Sequence, residues 1–197
     1  MHAPFPPAPA PPAAADLDRH LFARIVGFAT RAPDPTEALG LSRADLARLI
    51  ALYVPQHAAL LDRVPAGAGP GEDAIEEPDV RAYLLECRAG RSAAEAWLAA
   101  IVARRCQRPN HLWQDMGFAD RGELNAMFRR HFPELVRRND RDMKWKKFLY
   151  RELCAREGMP ICKSPVCDTC TDFAHCFGGE EGEPLDALAA LSRPGGG

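Results

Sequence analysis

Four cysteines crowd one short stretch of this chain, Cys162-Lys-Ser-Pro-Val-Cys167-Asp-Thr-Cys170-Thr-Asp-Phe-Ala-His-Cys176, with four, two and five residues between successive thiols. Thiolates held this close repel one another unless a cation offsets them, and a loop with Pro165 and few apolar residues has little else to order it. The pattern points to one metal or iron–sulfur centre at Cys162, Cys167, Cys170 and Cys176. A structural zinc site usually draws on two separated Cys-X-X-Cys pairs, and only Cys167 and Cys170 make such a pair here, which weakens zinc without removing it. An iron–sulfur core tolerates wider and less symmetrical spacing. The first three thiols share the spacing of plant-type ferredoxins, but the fourth does not, and the helical context differs. Disulfides are disfavoured because reduced thiols are the rule in a cytoplasmic protein.

Other side chains are candidate additional ligands. Cys154 precedes Cys162 by eight residues and is either a spare ligand or a buried helical thiol, whereas Cys87 and Cys106 fit core positions. His175, His111 and His131 offer imidazole nitrogens, but none is expected to be required. From Arg121 to Arg156 the chain carries Arg121, Arg129, Arg130, Arg137, Arg138, Arg141, Lys144, Lys146, Lys147, Arg151 and Arg156 against five acids. A cationic element just before the cysteines suits attraction of an oxyanion, compensation of a thiolate cluster, or an acidic partner. The alternative is a solvated helix face. Nucleic acid is a weaker reading, since Trp145 and Phe148 fall on an apolar stripe.

These residues need elements to position them. The chain has 197 residues, a formal net charge of -2, 47% hydrophobic and 26% charged residues, so one soluble domain with no bulk pull toward nucleic acid or membrane is expected. The absence of a long apolar run or a basic-then-apolar start makes it read as cytoplasmic. Residues 1–15 are rich in proline and alanine and are expected to form a disordered leader.

From Asp16, placed as an N-cap, Leu17, Leu21, Ile25 and Phe28 recur at helical spacing. Ser42 with Asp45, Ser92 with Glu95 and Asp120 with Glu123 predict further helix starts. A short helix is expected over 56–63, a surface loop over 65–73 and helix again from Pro78 toward Gly90. From Met143 to Glu157, Trp145, Phe148, Leu149 and Leu153 share a face, with Gly158 as the stop. No alternating strand is found, so the fold should be all-α. The stretch 179–197, acidic and then glycine-rich, suggests a mobile tail.

No nucleophile elbow, phosphate-binding glycine loop, His-Glu-X-X-His or dinucleotide fingerprint is present, and an enzyme is not indicated.

The cysteine segment, together with His111-Leu-Trp-Gln-Asp115, the His131-Phe132 pair, Asn139 and Met143-Lys-Trp-Lys-Lys-Phe148, resembles the NifQ family of nitrogen-fixation proteins. The likeness runs from about His111 to Gly178, within a helical domain taken as 16–178 with its cysteine loop at 159–178. It implies a carrier holding a cluster of iron, sulfur and molybdenum on the four cysteines, for synthesis of the nitrogenase iron–molybdenum cofactor. It also implies molybdate or another molybdenum source upstream, and the nitrogenase iron protein and a cofactor scaffold complex as receivers. The competing reading is a zinc-stabilised interaction module whose basic helix binds an acidic protein or nucleic acid.

Overall fold

The computed structural model describes residues 14–158 and 173–185. Its order is α1 Ala14–Ala29, α2 Pro35–Leu39, α3 Arg43–Tyr53, a 3-10 helix Pro55–Arg63, α4 Glu77–Glu86, α5 Ala94–Cys106, α6 Leu112–Asp115, α7 Arg121–His131, α8 Pro133–Arg138, α9 Trp145–Arg156 and α10 Phe173–Phe177. No strand occurs among the described residues, and the all-α expectation is met.

Local chemistry explains the starts. Asp120 accepts from the Glu123 N–H at 3.0 Å while Glu123 reaches back to the Ala119 N–H at 2.8 Å, a reciprocal cap of the kind that contributes about 1 kcal/mol. Ser42 accepts from the Asp45 N–H at 3.1 Å and donates to the Asp45 carboxylate at 2.7 Å. At α5 only half of the expected box forms. Glu95 accepts from the Gly90 and Arg91 N–H groups at 2.7 and 3.0 Å, but the cap position falls to Ala93 and the Ser92 side chain takes no part. Helix α1 begins at Ala14, so Asp16 lies in its first turn, favourable to the helix dipole, and is not the cap. The short α2 was not anticipated, although Asp34 caps it, Pro35 opens it and Gly40 closes it in the left-handed region at φ 63°.

Helix α5 is buried on nearly every side and is the axis of the core, with α2, α3, α4 and α6 packed on it. An arginine inside such a core needs a carboxylate, and Arg104 has one: its Nε donates to both oxygens of Glu77 at 2.8 and 2.9 Å. Arg81 and Asp73 extend this pair and tie the end of the 65–76 loop to the body. A second buried knot joins α1 to α7, where Asp18 accepts from Arg130 at 2.6 and 2.7 Å and meets His131 Nε2 at 3.0 Å. Helix α9 is pinned to α7 by Trp145, whose ring stacks on Phe128 at 3.7 Å and whose Nε1 donates to Asn125 at 2.7 Å.

Candidate metal centre

Of the four clustered cysteines, Cys176 lies within the described residues, in α10; Cys162, Cys167 and Cys170 lie outside them. Among the described residues no group of three or more metal-ligating side chains forms. What the structure does display are the described stretches that flank those three cysteines in sequence. In sequence, helix α9 precedes them, and a strap, residues 173–185, carries Cys176 and continues beyond it.

The strap is docked at several points. The Lys144 N–H, at the entrance to α9, donates to the Cys176 carbonyl at 2.9 Å. Cys176 and Phe177 pack partly buried against the core, and the Arg141 guanidinium lies 5.2 Å from the centre of the Phe177 ring. Farther along, Gln114 Nε2 donates to the Glu183 carbonyl at 2.8 Å. Glu180 is carried into the body: its side chain is 3% exposed and lies 3.7 Å from both His111 Nδ1 and Arg121 Nε. The stretch expected to be mobile from residue 179 is thus held to the body through its described part, 179–185. Periodicity gives no sign of this, because residues 178–184 have no regular structure.

The seat is made from the same residues that carried the family-like pattern. His111 precedes α6 in an extended conformation, and Gln114 binds back to its N–H at 3.2 Å while also holding the strap. Leu112 and Trp113 are core. Asp115 accepts from Lys146 at 2.6 Å and from Asn110 at 2.9 Å, and the same Lys146 ammonium donates to the Arg108 carbonyl at 2.6 Å. Asn139 closes the turn into α9 by pairing with both the N–H and the carbonyl of Met143, each at 2.8 Å. That turn places Asp142 in the left-handed region at φ 54°, where Arg121 holds its carboxylate at 2.9 Å. A cavity of about 70 Å³ beside Asn125, Asn139 and Trp145 has room for ordered water.

The other sequence candidates separate clearly. His131 is buried and engaged with Asp18, and burial lowers its pKa despite the carboxylate. His111 faces Glu180, while His175 is exposed in α10 next to Cys176. Cys87 and Cys106 are core thiols; burial raises both, Cys106 to about 12, so neither offers a thiolate at neutral pH. Cys154 is half-buried on α9.

The basic stretch is less of a free cationic face than its composition suggests. Arg121, Arg130, Arg137, Arg138, Lys146 and Arg156 all meet carboxylates within the body. Lys146, one of the lysines in the family-like pattern, is a clip between α9 and α6.

Three comparisons bear on this arrangement. The NifQ family profile matches residues 21–178. A protein named NifQ homolog from Sinorhizobium fredii is 38% identical over 185 residues, covering 89% of this chain and 78% of its own. Protein NifQ of Rhodobacter capsulatus is 43% identical over 144 residues, covering 72% of this chain and 77% of its own. Protein NifQ of Azotobacter vinelandii is 36% identical over 155 residues, covering 72% and 78%. No solved structure matches the chain.

Proposed function

The chain belongs to the NifQ family, and from that premise we propose that it is a carrier, not an enzyme, delivering molybdenum for assembly of the nitrogenase iron–molybdenum cofactor. Its cargo is an iron–sulfur cluster containing molybdenum, held by the thiolates of Cys162, Cys167, Cys170 and Cys176. The nitrogenase iron protein and the cofactor scaffold complex are the receivers, in the cytoplasm. No helix among the described residues is long and apolar enough to cross a membrane.

The observation that supports this reading is the use to which the family-like residues are put. Gln114, Lys144 and His111 contact the strap directly, while Asp115, Asn139, Trp145 and Lys146 brace the elements that carry those three. The most distinctive part of the sequence therefore builds a stand for the entrance to α9 and for the strap that carries Cys176. A carrier needs such a stand. Its ligands must be brought together in advance if the cargo is to be held firmly, yet they must sit on a segment that can yield to a competing site. The chemistry on this chain is ligand exchange at sulfur: each thiolate gives up one metal bond as the receiver forms another, with no net redox change.

Anaerobic purification tests the proposal. The protein should be brown with broad visible absorption, and should contain iron, acid-labile sulfide and molybdenum. Cys162→Ala, Cys167→Ala, Cys170→Ala and Cys176→Ala should each lower iron and molybdenum content to below roughly half. A colourless protein holding zinc alone, or four variants with full metal content, overturns it.

A further inference from the structure

Arg104 and Arg105 are consecutive, both in α5 and both buried, at 7% and 5% exposure. Arg104 has Glu77, but Arg105 has no carboxylate and no hydrogen-bond acceptor among the described residues. Its Nε is buried with no partner. The ring of Phe28 lies against its guanidinium, 5.4 Å from the carbon at its centre. An aromatic face supports a cation but takes none of its N–H donors. Burial, and after it Arg108, depresses the Arg105 pKa to about 10, with Asp115 opposing and Arg104 adding a smaller decrease. Asp115 is already engaged by Lys146 and Asn110.

The surroundings add positive charge. Arg31 lies over the same Phe28 ring at 5.7 Å and is exposed. Arg108 is exposed, with no carboxylate partner among the described residues. The backbone here is firmly set: Gly117, at φ +79°, lets α6 turn so close to α1 that a Cβ there would stand 2.5 Å from Phe28 Cβ. Phe28 is set by a contact that admits no side chain, and its ring lies beside the Arg105 guanidinium. A pre-positioned guanidinium with unanswered donors, flanked by cations, is the arrangement that takes up a compact oxyanion.

We propose that Arg105, with Arg108 and Arg31 at its rim, is a binding site for a tetrahedral oxyanion dianion of the molybdate class. That molybdate is the natural ligand rests on the cargo proposed above; the anion site itself rests on Arg105. A physical link joins it to the cysteine strap. The Arg108 carbonyl is held by Lys146, two residues along α9 from the backbone N–H of Lys144 that holds Cys176.

Equilibrium dialysis of the full chain against sodium molybdate at low ionic strength, with bound molybdenum measured by mass spectrometry, tests the site. Saturable binding is expected, weakened at least about tenfold by Arg105→Gln and roughly threefold by Arg108→Gln, with Arg129→Gln as an unaffected control. Arg108 is exposed, so its variant keeps the test decisive if Arg105→Gln fails to fold. A variant with all four clustered cysteines changed to alanine should still bind. Displacement by sulfate only in large excess supports molybdate as the ligand; displacement at equal concentration supports the oxyanion site and overturns molybdate as its natural occupant. The site is overturned if the full chain shows no saturable binding, if both arginine variants bind as the parent does, or if the cysteine variant loses binding. Iron content of anaerobically purified Arg105→Gln reports on the cysteine cargo separately, and is expected to be unchanged.

Discussion

Buried charge is handled differently in the α4–α5 body and in the seat of the strap. In the body, Glu77 is 1% exposed at its side chain and both its oxygens accept from Arg104 Nε, at 2.8 and 2.9 Å, while Arg104 also donates to the Glu37 carbonyl at 2.6 Å. In the seat, Glu180 is as deeply placed, at 3% exposure, yet it stands 3.7 Å from both His111 and Arg121. Neither Arg121 Nε nor Glu180 Oε2 makes a hydrogen bond. The body pair is closed by directional bonds; the strap carboxylate is lodged by proximity of charge. A segment held in that second way can leave at a free-energy cost well below global unfolding, as the cargo transfer proposed above requires.

The sharpest test of this contrast carries the largest expected effect. Arg104→Met leaves Glu77 buried and uncompensated apart from Arg81, and should lower stability by about 3–5 kcal/mol in urea denaturation. Glu180→Gln removes a charge that makes no hydrogen bond from that oxygen, and should cost under about 1 kcal/mol. Equal losses in the two variants would break the comparison.

An intermediate effect is expected where body and seat meet. Lys146, 18% exposed at its side chain, is the ion-pair partner of Asp115, which is 3% exposed. Lys146→Met should cost about 1–3 kcal/mol, since Asp115 keeps Asn110 but loses its cation. Because α6 also carries Gln114, amide exchange over 176–183 should speed up more than exchange in α5. If α5 and the strap speed up together, the seat is not a separate cooperative unit.

Several of these features were legible in advance and others had no signal to read. Helical spacing with caps at Ser42 and Asp120 located α3 and α7, because both the stripe and the cap are local. Met143 to Phe148 could be recognised as distinctive, but not that Lys146 faces inward. A lysine beside another lysine reads as surface until its distant partner, Asp115, is known. The same limit hid Arg105, since one arginine in a pair gives no hint of which will meet Glu77. Glu180 was beyond sequence reasoning for a further reason: an acidic residue among glycines looks solvated, and only the long-range approach of Arg121 and His111 brings it inside. The cysteine spacing is read by chemistry alone, independent of any packing, and three of its four thiols lie outside the described residues.

The smallest effect concerns the second body knot and gives the comparison a pH axis. His131 meets Asp18 at 3.0 Å, with Arg130 on the same carboxylate and Glu95 within electrostatic reach. Burial dominates and sets the folded pKa of His131 below its ordinary 6.5, with the Asp18 attraction opposing and Arg130 adding to the decrease. The unfolded chain therefore takes up a proton at a higher pH than the folded one. The contribution is fully present above pH 6.5 and is lost as pH falls through the lower, folded value. His131→Gln should flatten the fall of stability between about pH 7 and pH 5, measured as urea midpoints across that range. A parent protein that gains stability over the same interval would mean that Asp18 outweighs burial, and the knot would then resemble the charge-held seat more than the closed pair at Glu77.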